Sequence, residues 1–336
     1  MDSKQIFFNR AGRLRSGWRL LIFTLLFFFL LFLFETAVRV VYAIGVLLAP
    51  ERSLGRYTEN VIYRVVMLSA ALIAGFICTR QLEGLRWRAV GLSFQAPWLR
   101  DLLVGSALGI LSLALAAGIA TAGGGLRFSI FSREAFLQVG HTLLFSAALF
   151  VVAALAEEAL FRGYPLQTLV RANLPLFGVL LTSVAFAAVH LNNPNSIGAL
   201  PIINTTLAGV WFAVGYLRTR TLWFPLGLHW AWNWALGSLF GLPVSGMKHL
   251  APYPLLSAVD LGPDWFTGGK YGIEGGLACT VALTISTVFI WRTKLVSATD
   301  EMKALTSQEN PLRGIGVPQE AQEPLKESAW PTNPVQ

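Results

Sequence analysis

Three sets of polar residues interrupt otherwise apolar stretches of this sequence, and their types and spacing define the chemistry on offer. The first is Glu157-Glu158-Ala-Leu-Phe-Arg162. On a helix, Glu158 and Arg162 stand four residues apart, in the order that favours an ion pair. Glu157 points about 100° away from Glu158. It is therefore left over, a carboxylate able to take a proton from water. The second set, Phe186-Ala-Ala-Val-His190, closes an apolar run with an imidazole. The third, His229-Trp-Ala-Trp-Asn233, places a His and an Asn on one helical face, where both can present N–H donors. A base, a water-orienting group and two donors for a developing oxyanion are the parts that water-mediated peptide hydrolysis requires. Each set alone has a plainer reading: a polar contact between helices, a helix cap, or an interhelical hydrogen-bond pair. A nucleophilic mechanism has less support. Ser183 and Ser196 flank His190 but lie in no nucleophile elbow, and Cys78 and Cys279 sit in apolar blocks away from any histidine.

The elements that carry these residues are membrane spans. Of the 336 residues, 54% are hydrophobic and 13% charged, and the apolar ones come in blocks of about 18 or more. Mean hydropathy is +0.58. A soluble chain could not keep that much apolar surface from water. The blocks predict an all-α, polytopic helical bundle of about eight transmembrane helices. The first runs from residue 20 towards 48, too long and without a cleavage site for a signal peptide. Glu35 and Arg39 within it are spaced for a mutual ion pair. The second covers 61–79, with Arg64 one turn inside it and expected to snorkel to the interface. A basic, Trp-bearing interfacial segment, 80–100, precedes the third span, 101–121, whose Gly105 and Gly109 form a GxxxG packing pair. The fourth span runs from 139 to about 170, the fifth from 175 to 190, the sixth from 198 to 217 and the seventh from 222 to 240. The eighth, 273–291, follows a longer loop. If spans four and five start at opposite faces, Glu157 and His190 differ in depth by roughly 10 Å, so shifts in both and a water-filled cavity are expected.

The chain divides into residues 1–100, an N-terminal cytoplasmic segment with two spans and the interfacial segment, and a catalytic core, 101–240. Residues 241–295 form an extracytoplasmic loop and the last span, and 296–336 a polar tail expected to be disordered. The formal charge of +8 is concentrated in short loops. With a cytoplasmic N-terminus, the cytoplasmic side receives the N-terminal cluster, Arg80, Arg86, Arg88, Arg100, Arg171, Arg218, Arg220, Arg292 and Lys294. The other side receives fewer cations. This predicts a multi-pass protein of the cell membrane with both termini in the cytoplasm. No basic stripe with interleaved aromatics indicates a nucleic-acid partner.

Taken together and in order, Glu157-Glu158-x-x-x-Arg162, with Phe161-Arg162-Gly163-Tyr164 around it, Phe186-x-x-x-His190 and His229-x-x-x-Asn233 resemble the three motifs of the CAAX prenyl protease and bacteriocin-processing (CPBP, or ABI) family. The resemblance covers residues 102–240 and implies an intramembrane endopeptidase of the type that trims prenylated CAAX tails. It implies that Glu157 and His190 activate the water, that His229 and Asn233 stabilise the oxyanion, and that Glu158, Arg162 and Phe186 support the site. Its substrates would be peptides or proteins, membrane-associated or lipidated, met beside membrane lipid. No cofactor is favoured. The alternative within enzymes is a zinc peptidase in which Glu157, His190 and His229 hold the metal, although no HExxH helix is present. Outside enzymes, the alternative is a noncatalytic protein for bacteriocin immunity or partner binding. A transporter is disfavoured by the lack of an internal repeat.

Overall fold

The structure, a computed structural model, describes residues 6–9, 12–48, 55–94, 97–131 and 133–307. Most of them are helical. Helix α1 (Ser16–Leu48) and α2 (Arg56–Leu82) form a hairpin, and a short 3₁₀ turn (Trp87–Val90) leads to α3 (Trp98–Ala122). Strand β1 (Leu126–Ile130) and α4 (Phe136–Glu158) follow. Helix α4 runs without a break through a π turn (Ala159–Gly163) into α5 (Tyr164–Arg171). Then come α6 (Pro175–Val189), α7 (Ala199–Thr219) and α8 (Trp223–Trp234), which ends in a second π turn (Ala235–Leu239). Strand β2 (Leu256–Asp260), the short α9 (Asp264–Thr267), α10 (Leu277–Arg292) and α11 (Asp300–Ser307) complete the order.

The protein is a polytopic helical membrane protein. Among the described residues five helical stretches are long and apolar enough to cross a membrane: 16–47, 57–82, 98–122, 136–171 and 199–219. Helices α6 and α10 are apolar but shorter. All fall where the apolar blocks of the sequence place them, but the short ones do not by themselves support a count of eight full spans. Two features depart from the sequence reading. The long loop after α8 holds β2, which pairs antiparallel with β1 from Leu126↔Asp260 to Ile130↔Leu256. The polar tail, expected to be disordered from residue 296, is helical over Asp300–Ser307, where Met302 and Thr306 are buried. Its remainder, 308–336, lies outside the described residues. Glu35 and Arg39 pair as their spacing predicts, at 3.7 Å.

Close helix contact decides where the third motif sits. A Cβ on Gly105 would stand 2.3 Å from the Phe224 carbonyl oxygen, one on Gly109 2.5 Å from that of Leu228, and one on Gly227 2.4 Å from that of Leu102. Helices α3 and α8 are thus in backbone contact, the packing that small residues permit inside a membrane. This contact seats α8 in the main core with Phe161, Phe186, Trp211, Phe212, Leu228 and Trp232. A second cluster docks the α1–α2 hairpin. Phe23, Phe27, Met67, Ala71, Ala74 and Cys78 pack on Ala156, Ala159 and Tyr164. Just past α2, buried Glu83 accepts from Arg19 at 3.3 Å and also contacts Arg171 and Thr168. This knot ties the hairpin to α5.

Candidate active site

The three motifs converge on a cavity of about 600 Å³ whose walls include Glu157, His190, His229 and Asn233. Glu157 and Glu158 end α4, and the π turn that follows carries Arg162 inward. A π turn widens the helix locally and is frequent at functional sites. The second π turn begins two residues after Asn233.

The two carboxylates separate as their spacing foretells. Arg162 Nη1 donates to Glu158 Oε1 at 3.2 Å, with both side chains fully buried. Arg162 Nη2 donates to the Gly209 carbonyl at 2.8 Å, and its guanidinium lies 4.8 Å from the Phe186 ring centroid and 5.1 Å from that of Phe212. Phe186 packs among the motif residues. It meets Phe161, Phe212 and His229 edge-on and lies 4.6 Å from the His190 ring.

Glu157 is not left unpaired, contrary to the sequence reading. Arg64 Nη1 of α2 contacts its Oε1 at 2.7 Å. Arg64 does not snorkel to the interface; it points into the cavity. The reason is register. Arg64, Met67, Ala71, Ala74 and Cys78 recur at helical spacing along the face of α2 that packs on α4.

Both imidazoles have one nitrogen committed. His190 Nδ1 bonds the Phe186 carbonyl at 2.7 Å and must donate to it. His229 Nδ1 lies 2.8 Å from Glu158 Oε1 and donates to that carboxylate. The opposite nitrogens face the other carboxylate, His229 Nε2 at 3.7 Å and His190 Nε2 at 4.0 Å from Glu157 Oε2. Glu157 and His190 thus meet, as the shifts expected of spans four and five require. These gaps are too long for direct hydrogen bonds. Two ring nitrogens thus stand within 4.0 Å of one carboxylate oxygen at the cavity wall. The arrangement also alters the expected donor pair. A neutral His229 that donates through Nδ1 carries a lone pair on Nε2, so it offers an N–H there only as imidazolium. Asn233, one turn further along α8, lines the same cavity.

Sequence reasoning did not single out three contributors. Arg64 was placed at the interface. Phe212 stacks on His229, centroids 4.3 Å apart at 19°, and nothing in the motif spacing marks it. Glu274, just before α10, borders the cavity and accepts from Trp232 Nε1 at 2.9 Å and from the Ser245 amide at 2.6 Å. By sequence it falls at the start of the eighth span, 273–291, and in the structure it sits in a 3₁₀ turn just ahead of that helix.

Residues 139–235 match a family model described as type II CAAX prenyl endopeptidase Rce1-like. This segment is similar to the Rce1-like family. The match spans α4 to α8 and contains all three motifs, so the resemblance read from the motifs holds over this segment. The α1–α2 hairpin, α3 and everything after α8 lie outside it. No curated protein matched the sequence. The Rce1-like core supports, in general terms, a membrane peptidase of the CAAX-protease type that acts on peptide or protein substrates.

Proposed function

We propose that the chain is an intramembrane endopeptidase that hydrolyses a peptide bond with a water molecule activated by Glu157 and His190. The observation that carries this reading is that the Nε2 atoms of His190 and His229 both face Glu157 Oε2 at the cavity wall, 4.0 and 3.7 Å away, gaps that a bridging water can fill. A water resting there, about 2.8 Å from its partners, donates one hydrogen to Glu157 and the other to His190. Its oxygen then faces the substrate.

As the water oxygen bonds to the carbonyl carbon, its proton passes to Glu157 Oε2 and the carbonyl electron pair moves onto oxygen. Asn233 Nδ2–H and, as imidazolium, His229 Nε2–H are the donors for that oxyanion. Glu158 accepts from His229 Nδ1 and so orients the ring. Collapse breaks the C–N bond, and Glu157 returns its proton to the leaving amine. Arg162 holds Glu158 in place.

The residues do not fit zinc well. Ligand atoms on tetrahedral zinc stand about 3.3 Å apart, from bond lengths near 2.0 Å. Here they stand 3.7 and 4.0 Å from Glu157 Oε2, and Oε1 is taken by Arg64. Arg64 and Arg162 already balance Glu157 and Glu158. A dication would add two uncompensated positive charges to the site. No step is routed through a metal.

Toward α1 the cavity is walled by Phe23, Phe27, Phe28 and Leu31, which suits an apolar segment or lipid chain on the substrate. The loop charges favour both termini in the cytoplasm. The reading is tested by comparing new peptide N-termini in membrane fractions of cells carrying the wild-type or the Glu157→Gln protein. Fragments dependent on wild type support it. Identical fragment sets, with both proteins present at equal level, would point instead to a noncatalytic role.

A further inference from the structure

The α1–α2 hairpin lies outside the Rce1-like segment, yet it reaches the reacting groups. The π turn and the motif helices supply Glu157, but nothing within 139–235 bonds its Oε1. That bond comes from Arg64, 93 positions earlier in the chain, at 2.7 Å. Docking makes this possible. The small side chains of Ala70, Ala71 and Ala74 let α2 lie against Ala156 and Ala159. Tyr57 Oη at the start of α2 donates to the Phe145 carbonyl of α4 at 2.5 Å. The helix is thus held to α4 on both sides of Arg64.

A carboxylate base needs one oxygen free and aimed. Glu157 Oε2 stands 3.7 and 4.0 Å from the two imidazoles, outside hydrogen-bond range of either. A small rotation of an untethered carboxylate would close either gap. Glu157 would then bond an imidazole directly, and the space for the water would be lost. The guanidinium bond to Oε1 resists that rotation, and its positive charge is the counter-charge that a carboxylate in this setting requires. Arg64 makes this contact through one nitrogen, and its side chain remains 26% exposed towards the cavity.

We propose that Arg64 is a positioning residue for the base: it holds Oε1 of Glu157 so that Oε2 faces the water site, and the α1–α2 hairpin is therefore part of the active site. This rests on Glu157 acting as the base.

The test uses the full chain, purified, on a peptide that the wild type cleaves, with Glu157→Gln measured alongside. Arg64→Ala should lower kcat on the order of 10²-fold, the cost of a misplaced catalytic group, with KM little changed. Arg64→Lys keeps the charge without the fork geometry and should recover part of the rate. Guanidinium ion added below denaturing concentration should raise the rate of Arg64→Ala and leave wild type unaffected. A merely structural Arg64 would give no such rescue. If Glu157→Gln is inactive while folded Arg64→Ala turns over like wild type, the positioning role is wrong and the base assignment stands. If Glu157→Gln is itself fully active, the base assignment fails first. A slow Arg64→Ala that neither Lys nor guanidinium rescues also overturns the proposal.

Discussion

Removing Arg162 should cost more stability than any other single change in the site. The side chain is fully buried and bonds Glu158, itself fully buried, at 3.2 Å and the Gly209 carbonyl at 2.8 Å, with Phe186 and Phe212 close to the guanidinium. Methionine fills similar space without the charge. Arg162→Met leaves Glu158 with His229 as its one bonded partner among the described residues. Stranding one partner of a buried pair costs about 3–5 kcal/mol. The lost cation–π contacts add about 0.5–2 kcal/mol. Replacing both partners, Arg162→Met with Glu158→Gln, removes the stranded charge and should recover more than half of the loss. The assay is reversible unfolding of the purified protein in mixed detergent–SDS micelles, with both single variants and the double variant forming a cycle. A loss below about 1 kcal/mol for Arg162→Met, or strict additivity in the cycle, would refute the reasoning.

Three further outcomes follow from the same geometry. Asn233→Ala should lower kcat by about 10²–10³ with little change in KM, because a preorganised donor acts on the transition state; Asn233→Asp should be at least as damaging, and a folded, active Asp variant would remove the donor role. Native Cys78 and Cys279 are buried, so single cysteines at exposed Lys248 and Lys303 can report topology: an impermeant thiol reagent on intact cells should label Lys248→Cys and spare Lys303→Cys, and the reverse pattern would invert the assigned orientation. Purified protein should keep full activity after chelation; one tightly bound zinc, lost together with activity in His229→Ala, would establish the metal mechanism instead.

Much of this architecture is written locally, and the remainder is not. Apolar block length places α1 to α5 and α7, since a long apolar helix needs little beyond its own residues. The division of labour between Glu157 and Glu158 is likewise local, because a four-residue spacing fixes which carboxylate Arg162 reaches. The GxxxG pair announces a close contact but not its partner; that α8 approaches as closely as a backbone carbonyl emerges only in three dimensions. The β1–β2 ribbon joins two loops more than a hundred residues apart, and neither strand carries a strong pattern of its own. Arg64 reads as interfacial from its place near a span end, because its partner Glu157 is 93 positions away in sequence. Its register with Met67, Ala71 and Ala74 held the signal, since that stripe is the packing face. The His229 donor role shifted for a related reason. Spacing puts His229 and Asn233 on one face, but the proton on Nε2 depends on Glu158, which belongs to another helix.

The account stands most directly on Glu157 as the group that takes the proton from water. The measurement is turnover of one identified peptide by purified wild-type and Glu157→Gln protein, with unfolding followed on the same preparations. Gln keeps the shape and can still accept from Arg64, but it cannot take up the proton. The predicted result is a folded Glu157→Gln protein with kcat lower by about 10²–10⁴. A Glu157→Gln protein that cleaves the peptide within tenfold of the wild-type rate would contradict it.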